Sequence, residues 1–194
     1  MSQPQSIELS VIIPAYNEEE RLGPTLERVG EYLEQQPWSS EIVVVDDGSA
    51  DDTSGLAREM LEGISVPGQV LINEQNRGKG YSVRRGMTAS DGRLALFSDA
   101  DLSTPIEHAA DLRAAIEAGA DVAIGSRAVQ GADIQIRQPL LRQTAGKMFS
   151  VVQRAILRSR IIDTQCGFKM FTREAVEAVF PHQQLERWAF DAEL

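Results

Sequence analysis

Short, almost unbroken apolar runs alternate along this chain with stretches of helical period. The runs fall at Ile7–Ile13, Glu41–Val45, Val70–Asn73, Leu94–Phe97, Asp121–Ile124 and Phe168–Phe171, each of a length that suits a strand. Between them, Leu26, Val29 and Leu33 share one helical face, with Pro24 expected as the first helical residue. Leu56 and Met60 recur after Asp52-Thr53, the expected cap. Ile106, Ala110, Ala114 and Ala118 follow Thr104-Pro105 at helical spacing. A longer helix is expected over about 139–160, with Leu141, Ala145, Met148, Val152 and Ile156 on one side. The alternation predicts an α/β fold whose mostly parallel sheet carries helices on both faces. No repeat, low-complexity tract or long linker interrupts it.

Polar clusters follow four of the strand runs directly: Pro14-Ala15-Tyr16-Asn17-Glu18, Asp46-Asp47-Gly48-Ser49, Ser98-Asp99-Ala100-Asp101 and Gly125-Ser126-Arg127. In an open parallel sheet, ligands sit beyond the carboxyl ends of the strands. Four clusters in that position converge on one cleft, and this convergence says more than any one motif.

Composition narrows the class. The chain has 194 residues, 42% apolar and 25% charged, which is the profile of one ordinary soluble domain. No apolar run is long enough to span a bilayer, and the polar, uncharged Met1–Ser6 does not read as a signal peptide. One cysteine, Cys166, excludes an internal disulfide and suits a reducing compartment, so the expected location is cytoplasmic or peripheral. The net charge of −10 argues against a nucleic-acid partner. Yet residues 127–160 carry a formal +6 (Arg127, Arg137, Arg142, Lys147, Arg154, Arg158 and Arg160 against Asp133), while the rest carries −16. A basic island in an acidic chain suggests a local anionic partner such as phosphate or lipid headgroups; a solvated helix face would look the same.

Asp99 and Asp101 stand two residues apart at a strand end, where extended backbone lets both carboxylates face one side. Paired hard oxygens suit Mg²⁺ or Mn²⁺, which take the rest of their shell from water and substrate phosphates. In Asp46-Asp47-Gly48-Ser49, a carboxylate at the sheet edge can accept the imide N–H of uracil; Ser49, Asp52 and Thr53 can equally serve only as turn and cap. Asn76-Arg77-Gly78-Lys79-Gly80 offers small residues for close backbone approach and, in Lys79, an ammonium for phosphate, without the spacing of a P-loop. A flexible basic turn is the plainer reading of it. Cys166 reads as a packed thiol, His108 and His182 lack metal-ligand partners, and Trp38 reads as a surface or packing residue. Trp188 fits a sugar pocket or a core position.

Val11-Ile12-Ile13-Pro14-Ala15-Tyr16-Asn17-Glu18, Val44-Val45-Asp46-Asp47-Gly48-Ser49 and Asp99-Ala100-Asp101 resemble, in order and spacing, the family 2 inverting glycosyltransferases. The segments Asp163–Ala175 and Glu186–Leu194 resemble the dolichyl-phosphate β-glucosyltransferase branch of that family. The resemblance implies a single, Rossmann-like GT-A domain over 1–194 that lacks the C-terminal part of the full-length family. It implies a metal-dependent transfer of a hexose, glucose from UDP-glucose, to a polyprenyl phosphate on the cytosolic face of a membrane. Carried over by position, it sets Pro14, Tyr16, Glu18, Val45 and Asp47 around the nucleoside, with Asp47 preferred over Asp46 for the uracil. It sets Asp99, Ala100, Asp101 and Ser103 at the diphosphate and metal, and Arg127 and Arg142, with Arg137 less secure, at donor or acceptor phosphates.

A phosphate monoester, with its second pKa near ~6, is largely dianionic at neutral pH and attacks without a general base. A hydroxyl acceptor would need one, and Asp191 is then the candidate; with a phosphate acceptor, Asp191 would instead hold a sugar hydroxyl or an arginine. The 139–160 helix, with Lys147, Arg154 and Arg158 beside an apolar stripe, would lie against the membrane or pack conventionally on the core. Two other readings stay open: a GDP-mannose-dependent polyprenyl-phosphate mannosyltransferase and a non-catalytic nucleotide-sugar-binding domain; a sugar–sugar transferase is a more distant rival.

Overall fold

The computed structural model describes residues 6–125 and 166–193. The expected 139–160 helix lies outside them, as does the basic island with Arg127, Arg137 and Arg142. Six strands form one sheet: β1 (Leu9–Ala15), β2 (Ser40–Asp46), β3 (Gly68–Ile72), β4 (Leu94–Ser98), β5 (Val122–Ile124) and β6 (Phe168–Thr172). Among the described residues, five α-helices accompany them: α1 (Glu19–Glu34), α2 (Thr53–Gly63), α3 (Lys79–Ala89), α4 (Ala109–Glu117) and α5 (Arg173–Val179). The spatial order is β3-β2-β1-β4-β6-β5. β1 pairs in parallel with β2 and β4, and β2 with β3, whereas β6 runs antiparallel to both β4 and β5. Strands β1 to β5 therefore point the same way, and β6 alone is reversed.

The apolar runs are continuous because both faces of the sheet are covered. Val11 and Ile13 pack into one core with Leu26 of α1, Leu61 of α2 and Ile116 of α4. Ile12, between them, packs into the other with Val83 of α3, Val176 of α5, Phe180 and Phe190. The expectation of helices on both faces holds.

Four local expectations are corrected or refined. β1 lies two residues later than Ile7–Ile13 and includes Pro14. Pairing with β4 stops at Ile12, so the proline sits where only the β2 side is still paired. Pro24 lies inside α1 rather than at its first position, because the helix starts upstream at Glu19. Its early amides find acceptors on the neighbouring loop: Glu18 N–H donates to Thr53 Oγ1 (2.8 Å) and Glu19 N–H to Asp51 Oδ2 (3.2 Å). The buried face of α4 is Ala109, Leu112 and Ile116, while Ala110, Ala114 and Ala118 are exposed. A 3₁₀ turn over Ile106–His108 shifts the angular register. Burying a leucine or isoleucine is worth about 1.5–3 kcal/mol, more than an alanine offers, so the larger side chains set the rotation. At α2, Asp52 holds the expected N-cap position but makes no side-chain capping bond; Asp51 Oδ1 accepts from Thr53 N–H (3.2 Å) and Oγ1 (2.5 Å) instead.

Candidate functional site

The loops after β1, β2 and β3 are laced into one rim. Asn17 N–H donates to Ser49 Oγ (2.9 Å), and Ala50 N–H returns to Asn17 Oδ1 (2.8 Å). Asp46 Oδ1 accepts from Ser49 N–H (3.0 Å) and Oγ (2.5 Å). Ser49 and Thr53 thus join loops rather than merely ending turns. Pro14 stands opposite Val45 in the β1–β2 register, and Asp47 N–H donates to the Ala15 carbonyl (2.8 Å). Tyr16 is exposed beside them.

Asp47 is buried and fully engaged. Its Oδ1 accepts from Asn73 Nδ2 (2.7 Å) and Arg77 N–H (3.0 Å), and its Oδ2 from Gly78 N–H (2.7 Å). These bonds hold the turn that delivers Lys79 to the start of α3. Gly78 adopts φ +102°, and a Cβ there would run into the Glu186 carbonyl and Arg187, so the turn has no room for another residue type.

Lys79 Nζ forms an ion pair with Asp99 Oδ1 at the end of β4. The two side chains are 15% and 32% exposed. Asp99 also rests directly on Gly167: its N–H donates to the Gly167 carbonyl (3.0 Å), and a Cβ on Gly167 would occupy the place of its carboxylate. Asp101 is exposed, and its Oδ1 accepts from Ser103 N–H (2.9 Å) and Oγ (2.7 Å). Ala100 is buried between them, its carbonyl accepting from Thr25 Oγ1 (2.6 Å). Leu102 closes the turn at φ 45°, a costly conformation for a leucine. Burial pushes the Glu18 carboxyl up from its ordinary range; Arg21 pulls it down, and the charges of Asp101 and Asp51 push it further up.

Among the described residues, no three carboxylate, histidine or cysteine side chains converge as a self-sufficient metal cage. Asp99 and Asp101 offer a two-carboxylate set of hard oxygens, which fits Mg²⁺ or Mn²⁺ completed by water and a diphosphate. It does not fit a structural metal held by protein alone.

Asp191 lies deeper. It forms a buried ion pair with Lys169 of β6, whose ammonium sits 5.4 Å and 5.9 Å from the ring centroids of Phe97 and Phe190. Burial pushes the Asp191 carboxyl up; the Lys169 charge pulls it down, Lys79 also lowers it and Asp99 raises it. A lysine partner for Asp191 was not foreseen. Residues 183–193 form a strap over the start of α3: Tyr81 N–H donates to the Glu186 carbonyl (2.9 Å), Gln183 Nε2 to the Gly80 carbonyl (2.9 Å), and Arg77 pairs with Glu186 (2.5 Å). On that strap Trp188 is largely exposed, with its ring centroid 5.6 Å from Lys79 Nζ, which removes the core reading.

The fold thus gathers Pro14, Val45 and Asp47 on one side, Lys79 with Asp99 at the centre, Asp101 with Ser103 on the other, and Asp191 behind. Arg127 and Arg142 lie outside the described residues. Three contacts were not foreseen. Asn73 gave a faint signal as a polar residue ending a strand run. Lys169 gave a clearer one as the only charge inside Phe168–Phe171. Gly167 had none, because close approach between two backbones is invisible in sequence. His108 pairs with the exposed Asp111. Cys166 is buried, as expected of a packed thiol.

Residues 10–180 match the model of Glycosyl transferase family 2. The dolichyl-phosphate β-glucosyltransferase of Dictyostelium discoideum is 36% identical over 97% of this chain and 61% of its own length. That of Drosophila melanogaster is 39% identical over 97% and 62%. The chain thus spans about three-fifths of the curated relatives it matches. Among solved structures, glucosyl-3-phosphoglycerate synthase from Mycobacterium tuberculosis, in complex with Mn²⁺, UDP and glucosyl-3-phosphoglycerate, superposes with a TM-score of 0.62 at 21% identity. The match covers 87% of this chain and 57% of that one.

Proposed function

The chain belongs to glycosyl transferase family 2, with the GT-A fold, and on that premise we propose that it transfers glucose from UDP-glucose to a polyprenyl phosphate of the dolichyl type. The observation that carries the proposal is the end of β4, where Asp99 meets the ammonium of Lys79 and Asp101 stands exposed two residues on. Fixed anionic and cationic groups side by side suit a diphosphate and the cation that accompanies it.

In this reading Pro14, Tyr16, Glu18, Val45 and Asp47 border the nucleoside, and Ala100 and Ser103 shape the turn beneath the diphosphate. Asp99 and Asp101 would hold Mg²⁺ or Mn²⁺, which when bound supplies Lewis-acid neutralisation of the departing UDP. The acceptor phosphate oxygen attacks the anomeric carbon in line, forming the new C–O bond as the bond to the UDP oxygen breaks. No proton needs removal. The chain's own tasks are to align the two anions and to keep Lys79 near the developing charge. Arg127 and Arg142 are assigned to phosphates from the sequence alone. The buried pair with Lys169 supports a positioning role for Asp191 rather than that of a base. Among the described residues no helix is long and apolar enough to cross a membrane. We place the protein peripherally at the cytosolic face, where a polyprenyl phosphate would be met.

The test is transfer to a short polyprenyl phosphate from UDP-glucose, UDP-GlcNAc and GDP-mannose in parallel. Product from UDP-glucose supports the proposal. Product from GDP-mannose alone establishes the mannosyltransferase instead, and donor binding without transfer to any acceptor establishes a binding domain.

A further inference from the structure

We infer that Lys79 is a resident counter-ion for Asp99, which withholds this carboxylate from metal until a nucleotide diphosphate draws the ammonium away. The inference rests on the metal assignment proposed above. Lys79 Nζ is paired with Asp99 Oδ1, one of the two carboxylates a cation would need, and the pair is only partly shielded from solvent. A cation approaching Asp99 competes with that ammonium for the carboxylate, and a diphosphate offers the ammonium a replacement partner of higher charge.

The lysine is placed for such an exchange. Its backbone is fixed by Asp47, which holds Arg77 N–H and Gly78 N–H, and by the strap, where Tyr81 N–H meets the Glu186 carbonyl. Only the flexible side chain has to move. Trp188 lies 5.6 Å from Nζ, giving the ammonium an aromatic face beside its present partner. The contrast with Arg77 and Arg84 is informative, because both of these cations pair with Glu186 on the strap and not with the aspartates.

The consequence is a coupling free energy. Metal binds Asp99 weakly without nucleotide, and nucleotide binds weakly without metal. Each raises the other's affinity by the same factor, as linkage requires.

The experiment titrates Mn²⁺ by electron paramagnetic resonance into the 194-residue chain with and without UDP, for the unaltered protein, Lys79→Met, Lys79→Arg and Arg84→Met. Lys79→Met is expected to tighten Mn²⁺ binding without UDP by about five- to tenfold, the worth of one partly buried charged contact. It should also reduce the mutual enhancement between Mn²⁺ and UDP by a similar factor. Lys79→Arg keeps the weak Mn²⁺ binding, and Arg84→Met leaves it unchanged. Unchanged or weaker Mn²⁺ binding in Lys79→Met overturns the inference, as does an equal gain in Arg84→Met, which would reduce the effect to net charge. In either case Mn²⁺ binding to the unaltered protein with UDP would leave the metal assignment standing. Absence of that binding removes the metal assignment and the counter-ion with it.

Discussion

Two lysine–aspartate pairs lie within one site, and their surroundings give them opposite uses. Lys169 and Asp191 have side chains 2% and 7% exposed, closed between Phe97 and Phe190. Lys79 and Asp99 are 15% and 32% exposed and open towards the rim. Water has been removed from the first pair, so neither partner can leave without stranding the other in a medium that solvates charge poorly. The second can exchange partners, since water and ligands share the solvation. Burial, not residue type, separates an anchor from an exchangeable contact.

The comparison is broken most directly at the buried pair. Lys169→Met should cost about 3–5 kcal/mol of stability in chemical denaturation, because Asp191 is left charged and alone. Adding Asp191→Asn should recover much of that loss; no recovery would mean that the lysine acts through packing alone. The second effect lies at the open pair. Asp99→Asn and Asp101→Asn should each weaken Mn²⁺-dependent UDP binding by about a hundredfold, while the denaturation midpoint moves little. A large stability loss in Asp99→Asn would make this pair an anchor as well.

A smaller effect is expected at Gly167→Ala, which pushes the Asp99 carboxylate aside. Mn²⁺ affinity in the presence of UDP should fall about tenfold without loss of fold, comparable to removing a group that orients a metal ligand. The smallest lies at an exposed reference pair. Arg93 donates to Glu8 at 2.6 Å and 2.9 Å, and its hydrogen bond holds the Glu8 carboxyl below the usual carboxylate range, burial opposing it and the charges of Arg93 and Arg113 assisting. A lowered folded-state value gives stability that is present above the ordinary carboxylate pKa and lost as pH falls through the folded value. Glu8→Gln should therefore cost under about 1 kcal/mol at neutral pH. Its deficit should shrink as pH falls through the carboxylate range; a pH-independent deficit would assign the loss to shape rather than charge.

The sequence announced the strands and the two-sided packing well, because Val11-Ile12-Ile13 and Val43-Val44-Val45 have no polar face to expose. It did not announce that β6 runs backwards, since an apolar run carries no direction. The stripe through Ala110, Ala114 and Ala118 misled because alanine is compatible with either side of a helix, and only the packing of Leu112 and Ile116 decides. At the site, Asp47, Lys79, Asp99 and Asp101 were legible as strand-end chemistry. Which of them touch was not. The pairing of Lys79 with Asp99 depends on the angle at which α3 leaves its turn, and the partner of Asp191 depends on a strand far from it in sequence.

The reversal of β6 has a consequence at Asp99. β5 ends, and β6 begins, at the same edge of the sheet, where Gly125 N–H donates to the Phe168 carbonyl (2.8 Å) and Asp99 N–H to the Gly167 carbonyl (3.0 Å). The backbone at Gly167 is held next to Asp99. Strand direction alone thereby sets a glycine backbone against the Asp99 carboxylate, so the course of one strand decides the space left to the central acid of the site.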